Sequence, residues 1–278
     1  MSTHNQSVGQ EAWRDSKRNP AAAEKNQLVL KAFAVLSCFQ RSDEWVTGGE
    51  LSRRANLPQA SGYRLIQTLE KIGAIIRGPR GRYRPGMLLV SLSQNVAIGE
   101  LLRNSSQSIA ASLAKQFDIT VHLGILEEGM VTYVSKVTTP TSFPVKTRVG
   151  AQLETYCSAL GKVLLAALSR DRLDSIILDG DLIPLTENTI TDPRLLRAEL
   201  EKVRRQKFAL DDRESQADMV CVAVPVRDIE GRVIAAMSAT DHAENMTDQR
   251  KSAIRDALWA AVADLERKVF PARLTSAA

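Results

Sequence analysis

The chain of 278 residues is long enough for about two domains, and its three cysteines, Cys38, Cys157 and Cys221, are too few for a disulfide framework or a four-cysteine zinc site. No run of about 18 apolar residues occurs, so we expect no transmembrane helix. The N-terminal residues show no basic stretch followed by an apolar one, so we expect no secretion signal and a cytoplasmic protein.

Positive charge is concentrated in the first third of the chain. The net charge is +5 at pH 7, and residues 1–103 contain 15 Lys and Arg against 8 Asp and Glu, whereas residues 104–278 contain 22 against 24. A basic module joined to a near-neutral one predicts a polyanion partner for the basic part. A solvated basic face without a partner is the alternative that charge alone leaves open.

A disordered tail and a first helix are expected at the start. Residues 1–22 are polar and offer little apolar surface to offset the entropy of ordering, which predicts a disordered tail. A helix is expected over residues 25–39, because apolar residues recur there at helical spacing: Leu28, Ala32, Val35 and Phe39.

Two helices joined by a tight turn are predicted next. Thr47 followed by Glu50 is typical of a capping box, and it opens a short helix over residues 48–55. Pro58 suits the first turn of a second helix, where its missing N–H group costs little. We expect this second helix to end near residue 72, with four apolar side chains facing inward: Leu65, Ile66, Leu69 and Ile72.

A β-hairpin follows the two helices. Residues 74–77 and 82–84 have the composition of short strands, and the Gly-Pro-Arg-Gly sequence at 78–81 is typical of a turn. Together these elements predict a winged helix–turn–helix domain over residues 23–86. A linker helix is expected over residues 87–106.

The remaining residues, 107–273, predict an α+β domain. Hairpins are expected at 119–137 and 219–240, with a third strand at 143–149. Strands that are adjacent in sequence and joined by tight turns pair in antiparallel fashion, so we expect helices packed on an antiparallel sheet. The predicted helices cover residues 107–117, 157–168, 171–178, 192–206 and 247–269.

In a winged helix–turn–helix domain the second helix of the pair enters the DNA major groove, and basic wing residues contact phosphates or the minor groove. Gln pairs with adenine and Arg with guanine, whereas Ser and Tyr more often hold phosphates. The candidate DNA-binding residues are Gln59, Ala60, Ser61, Tyr63, Arg64, Gln67, Lys71, Arg80, Arg82 and Arg84. A winged helix that binds a protein instead is the alternative.

Four motifs in this order and spacing resemble one protein family. They are TGGELSRRANLPQASGYRLIQTLE from Thr47, GRYRPG from Gly81, CSALGKVLLA from Cys157 and CVAVPVRD from Cys221. Over residues 25–270 the chain is similar to an IclR-type bacterial transcriptional regulator. Two departures are visible: Ala60 and Gly62 lie where the family usually has small or hydroxyl residues, which we expect to alter operator choice, and Pro85 replaces the usual Leu.

The resemblance implies that residues 107–273 form a GAF-like effector-binding domain. The residues themselves also favour a pocket, because the start of the helix at Ser158 offers free N–H groups to an anion and small polar residues interrupt the apolar strands. Carried over from the family, the candidate effector-binding residues are Cys157, Ser158, Ala159, Gly161, Asp211, Met219, Cys221, Ser238 and Thr240. Asp211 and Asp212 are expected on a loop that leads into the pocket.

Ordinary structural explanations exist for the same residues. They are an inert core position for Cys157 and Cys221, a helix N-cap for Ser158, core filler for Met219, and solvated charges for Lys162 and Asp211. The alternative function is an enzyme that converts a small molecule on the C-terminal domain, with Cys157 as nucleophile and His122 as base. No third orienting group is identifiable, so we expect no catalytic residues.

No cofactor is expected, because no cluster of His, Cys and carboxylate residues has metal-ligand spacing and no glycine-rich phosphate-binding motif occurs. We expect a ligand-responsive regulator of a catabolic operon, either repressor or activator. The start of the predicted helix motivates a small organic acid as effector, and the family's usual roles add an aromatic one. The resemblance implies a homodimer, or a homotetramer, on a palindromic double-stranded DNA operator.

Overall fold

The computed structural model describes residues 20–41, 44–179 and 181–270, and it divides the chain into two compact units. The N-terminal unit extends to Val96 and the C-terminal unit begins at Ala97. Residues 1–19 of the expected tail lie outside the described residues. The prediction that the tail continues to residue 22 is wrong, because the first helix begins at Pro20, where proline suits a first turn and the three following alanines have the highest helix propensity.

The N-terminal unit is a winged helix–turn–helix. A short strand that the sequence did not indicate, β1, completes a three-stranded antiparallel sheet in the order β1–β3–β2. Two residues are too few to show strand periodicity. The elements are α1 (Pro20–Leu36), β1 (Val46–Thr47), α2 (Gly48–Arg54), α3 (Gln59–Lys71), β2 (Ile75–Arg77), β3 (Arg82–Pro85) and α4 (Met87–Ser93).

The core of this unit contains most of the apolar residues that the helical pattern predicted. Leu65, Ile66 and Leu69 of α3 are buried. The prediction that Ile72 faces inward is wrong, because α3 ends at the preceding residue and Ile72 is 55% exposed. Leu28 on α1 is also exposed.

Half of the predicted capping box forms at the start of α2. The Thr47 hydroxyl accepts a hydrogen bond from the Glu50 backbone N–H at 3.3 Å. The Glu50 carboxylate does not return to Thr47. It pairs with Arg53 and Arg54 on the next turn of the helix, at 2.7 and 2.8 Å, because two guanidinium groups lie within its reach.

The prediction of a single linker helix over residues 87–106 is wrong. The chain forms α4, leaves helical structure at residues 94–97 and then forms α5 (Ile98–Phe117), which includes the separate helix expected at 107–117. Polar side chains favour this break, because the Ser93 hydroxyl donates to the Val90 carbonyl at 2.8 Å and competes with the helical backbone.

The C-terminal unit is an α+β domain with three layers. Its antiparallel sheet has the order β6–β5–β4–β9–β8–β7, with α5 and α9 packed on one face and α6, α7 and α8 on the other. After α5 the elements are β4 (Thr120–Glu127), β5 (Met130–Val137), β6 (Gln152–Leu153), α6 (Ala159–Ala166), α7 (Arg170–Asp179), α8 (Pro193–Gln206), β7 (Ala209–Asp212), β8 (Met219–Arg227), β9 (Val233–His242) and α9 (Asp248–Val269).

The strand expected at 143–149 does not form. Pro144 has no N–H group for a ladder, and the ammonium group of Lys136 donates to the carbonyls of Val145 and Thr147 at 2.7 and 2.9 Å. These bonds replace strand pairing and hold the segment beside β5. The prediction that Asp211 and Asp212 lie on a loop is also wrong, because both residues belong to the edge strand β7.

The register of the strands aligns polar residues in two rows. Cys221 pairs with Asp211 on one side and with Thr240 on the other. Ser238 on β9 pairs with His122 on β4. Cys221, Ala223 and Ala236 belong to the core cluster on the α6–α8 side of the sheet, and the polar residues of the two rows line a cavity there.

Candidate DNA interface and effector cavity

The predicted DNA-binding residues are accessible on α3 and the wing of the N-terminal unit. Nine are exposed and Ser61 is half-buried. The exposed ones are Gln59, Ala60, Tyr63, Arg64, Gln67, Lys71, Arg80, Arg82 and Arg84. No carboxylate among the described residues pairs with Arg64, Arg80 or Arg82, so their charge is available to a phosphate.

Gly62 does not share this surface. It is buried in α3, and a Cβ atom at Gly62 would lie 2.1 Å from the Ser52 hydroxyl oxygen of α2. Glycine therefore allows α2 and α3 to pack closely. The expected effect of Gly62 on operator choice has no support in this position, and that expectation now rests on Ala60 alone.

A cavity of about 140 Å³ lies between the sheet, the start of α6 and the segment 143–149. Seven of the nine predicted effector residues line it: Ser158, Ala159, Asp211, Met219, Cys221, Ser238 and Thr240. The lining also contains nine residues that were not among the effector candidates: His122, Tyr133, Val145, Lys146, Thr147, Leu153, Leu160, Ser215 and Gln216. Strand register brings His122, Tyr133 and Leu153 to the cavity. The others belong to the segment 143–149, to α6 and to the loop after β7, which only tertiary packing brings beside the sheet.

Cys157 and Gly161 do not line the cavity. Cys157 is fully buried in the core, where burial raises the pKa of its thiol to about 12. A Cβ atom at Gly161 would lie 2.1 Å from the backbone carbonyl oxygen of Thr155, so Gly161 serves the packing of α6. The N-cap explanation for Ser158 holds, since its hydroxyl accepts from the Gly161 N–H at 3.1 Å, and the same residue lines the cavity.

Asp211 is a buried acid that is bound to its own loop. One carboxylate oxygen accepts from the Glu214 N–H at 2.8 Å and the Ser215 N–H at 3.3 Å, and the other accepts from the Ser215 hydroxyl. Burial raises the pKa of Asp211, against these hydrogen bonds and the nearby charge of Lys162. The suggestion that Asp211 is a solvated charge is wrong.

Lys162 is also buried, with 1% of its surface exposed. Its ammonium group forms an ion pair with the carboxylate of Glu214, whose second oxygen has no hydrogen-bond partner. Burial raises the pKa of Glu214, and the Lys162 charge opposes this effect. A solvated Lys162 is therefore excluded, and the pair fixes the loop after β7 against α6.

His122 is a buried and uncharged member of the cavity wall. Its Nε2 atom lies 2.7 Å from the Thr147 hydroxyl, and its ring centroid lies 4.7 Å from that of Tyr133. Burial, with a smaller effect of the Lys136 charge, lowers the pKa of His122 to about 3. A neutral imidazole can both donate and accept hydrogen bonds.

We predict that His122 makes the C-terminal unit less stable in acid. Between pH 6.5 and about 3 the unfolded chain binds a proton at His122 that the folded protein does not bind, so the free energy of unfolding falls as pH falls. From pH 7 to pH 5 we expect the wild type to lose about 2 kcal/mol more than His122→Gln, measured by urea unfolding. The titration of Asp211 and Glu214 affects the stability of both proteins, so it cancels in the comparison. Equal losses would contradict the prediction.

The cysteine–histidine enzyme alternative gains no support from this geometry. Cys157 lies outside the cavity that His122 lines, and burial raises the pKa of Cys221 as well. The described residues contain no group of three or more His, Cys, Asp or Glu side chains able to hold a metal ion. None of the helices in that part of the chain has the length and apolar character needed to cross a bilayer.

Two family models match the chain. The IclR helix-turn-helix domain matches residues 28–77, and the bacterial transcriptional regulator IclR C-terminal domain matches residues 96–267, more than half of the chain. This chain belongs to the IclR family of bacterial transcriptional regulators. The resemblance in its four motifs is thereby confirmed, and the IclR helix–turn–helix makes it a DNA-binding protein.

Individual IclR-family proteins agree along nearly the whole length. The HTH-type transcriptional regulator XynR of Escherichia coli is 29% identical over 248 residues, which cover 88% of this chain and 98% of XynR. The crystal structure of Thermotoga maritima IclR has a TM-score of 0.58 and 28% identity, with 86% of this chain and 97% of that chain covered. An IclR homolog from Microbacterium hydrocarbonoxydans, complexed with 4-hydroxybenzoate, shares the fold at a TM-score of 0.58 and 24% identity, with coverages of 87% and 98%.

Proposed function

We propose that this IclR-family regulator controls a catabolic operon in response to a small organic acid bound in the cavity beside α6. The observation that carries the proposal is the cavity itself, because seven residues that the family resemblance indicated line it, together with polar groups from five strands and from the N-cap of α6. Such convergence of a few polar groups on one cavity is typical of ligand sites.

Size and charge favour a compact acid. An apolar cavity of about 150 Å³ holds a benzene molecule, and the space of about 140 Å³ here suits a single ring or a short chain. The first residues of α6 present backbone N–H groups, and Lys146 lines the same cavity. The repulsion between Asp211 and a bound carboxylate is reduced, because the oxygens of Asp211 already accept hydrogen bonds within its own loop.

DNA recognition is proposed to use the exposed face of α3 and the arginines of the wing. We predict that Arg64→Ala weakens operator binding by about 1–3 kcal/mol if Arg64 contacts a base. Half-buried Arg255 on α9, by contrast, lies on the C-terminal unit and already pairs with Asp256. Arg255→Ala is therefore the matched control. Fluorescence anisotropy that gives equal affinities for both variants would remove Arg64 from the interface.

A homodimer is proposed from the apolar surface of the N-terminal unit. Helices α1 and α4 expose apolar side chains that a monomer leaves in water: Leu28, Val29, Leu30, Phe33, Met87, Val90 and Leu92. Covering such a surface stabilises a symmetric dimer. A two-fold dimer reads a roughly palindromic operator, and an effector that binds one arrangement of the domains more tightly shifts the population toward or away from that operator.

The test is operator binding at fixed salt, with and without a panel of carboxylic acids that begins with 4-hydroxybenzoate and includes short-chain acids. One acid is expected to change the affinity of the wild type for DNA upstream of its own and neighbouring genes. Ser238→Ala in the cavity should lose this response while it binds DNA normally, and the exposed control Ser252→Ala should keep it. A Ser238→Ala variant that responds at wild-type effector concentrations would contradict the pocket.

The same panel addresses the acid and the enzyme alternative. If calorimetry detects binding of neutral or cationic compounds only, the proposal of an acid is wrong. Mass spectrometry of the ligand after incubation should return it unchanged. Turnover of the ligand would favour an enzyme on the C-terminal unit.

A further inference from the structure

An aromatic residue outside the family motifs lies directly against the wing. Trp45 precedes β1, whose first residue Val46 pairs with Tyr83 on β3. The guanidinium carbon of Arg84 lies 5.0 Å from the centroid of the Trp45 indole ring. An arginine over an indole face at this distance is attracted by the negative face of the ring.

The indole ring also contacts the backbone of the wing. A Cβ atom at Gly78 would lie 2.2 Å from a carbon of the Trp45 six-membered ring, so only glycine leaves room for the ring there. Gly78 begins the turn between β2 and β3, and its N–H donates to the Arg82 carbonyl at 2.8 Å. The Trp45 ring therefore packs against the backbone of the wing at Gly78 and also lies against the guanidinium group of Arg84.

This arrangement leaves Arg84 ready for an anion. Arg82 and Arg84 alternate with the buried Tyr83, so both lie on one face of β3, and both are exposed. Among the described residues no carboxylate pairs with Arg84. A guanidinium that stacks through its flat face keeps its N–H edge free for a phosphate, and a side chain that is already ordered loses less entropy on binding.

We propose that Trp45 is a positioning residue for DNA binding, whose indole ring holds the Arg84 guanidinium in place for a backbone phosphate of the duplex. The interaction belongs to sequence-independent binding, so a mixed-sequence DNA duplex is a sufficient probe. The slope of log affinity against log salt counts the phosphates that the protein neutralises.

The experiment compares Trp45→Leu, Trp45→Phe and Arg84→Ala by anisotropy over a range of salt concentrations. Leucine retains apolar bulk without a π face, whereas phenylalanine retains the face. We expect Trp45→Leu and Arg84→Ala each to lower the salt slope by about one, whereas Trp45→Phe should keep the wild-type slope. The double variant Trp45→Leu with Arg84→Ala should have the same slope as Arg84→Ala alone. An unchanged slope in Trp45→Leu, or effects that add in the double variant, would overturn the proposal.

A second variant does not depend on the stability of the Trp45 substitutions. Arg84→Lys keeps the charge but removes the planar group that stacks on the ring. We expect it to bind the duplex several-fold more weakly than the wild type, and thermal unfolding should show both proteins folded. Wild-type affinity in Arg84→Lys would show that stacking is not required and would overturn the proposal.

Discussion

Gly161→Ala is expected to destabilise the C-terminal unit by about 3 kcal/mol, although alanine is the better helix former. The added methyl group would lie 2.1 Å from the carbonyl oxygen and 2.3 Å from the Cα atom of Thr155. Both are backbone atoms, so no side-chain rotation relieves the clash, and α6 must move away from the segment that precedes it. Urea unfolding followed by circular dichroism measures the loss.

The control is the same substitution at another glycine in the first turn of a helix. Gly49 lies at the start of α2, and the nearest atom to an added Cβ is the Gln59 side-chain nitrogen at 4.0 Å. Gly49→Ala should be neutral or stabilise by up to about 1 kcal/mol. If Gly161→Ala unfolds like the wild type and loses only the effector response, Gly161 belongs to the effector site after all.

Lys162→Met is expected to cost about 3–5 kcal/mol of stability at neutral pH. The substitution retains most of the buried volume but leaves Glu214 without its cation, and one oxygen of that carboxylate already has no hydrogen-bond partner. Asp211 also loses a compensating charge. A buried carboxylate without a partner must bind a proton or draw water into the core, and both reduce the free energy of unfolding.

Two further measurements separate this cause from a loss of packing. The double variant Lys162→Met with Glu214→Met should recover most of the stability, because apolar replacement of a whole buried pair is often neutral. The stability that the single variant loses relative to the wild type should be smaller at pH 5 than at pH 7. Acid protonates the carboxyl group of Glu214, whose pKa burial raises. A deficit that is independent of pH and not recovered in the double variant would assign the effect to packing alone.

The sequence predicted the N-terminal unit well because its signals are local. The capping residue Thr47, the turn before Pro58 and the spacing of Leu65, Ile66 and Leu69 all act within a few residues. Where a boundary depended on a neighbour, the prediction failed. Strand β1 exists because β3 pairs with it, and two residues carry no periodic pattern.

Segment 143–149 shows why an apolar alternating pattern is not sufficient for a strand. Its residues have strand-like composition, but its carbonyls bind the side chain of Lys136 from β5. The reverse occurred at Asp211, where two adjacent acids predicted a loop and the pairing of β7 with β8 made them part of the sheet. In both cases a partner distant in sequence decided the outcome.

The sequence by itself determined the family, the winged domain and the α+β class, because motifs and periodicity record local geometry. The family resemblance implied the seven effector candidates that line the cavity. Tertiary structure alone decided that His122 belongs to the same cavity, since strand register places it opposite Ser238. It also decided that Lys162 and Glu214 are buried together, 52 residues apart in the chain. Burial and pairing are properties of surfaces that meet on folding, and no local pattern records them.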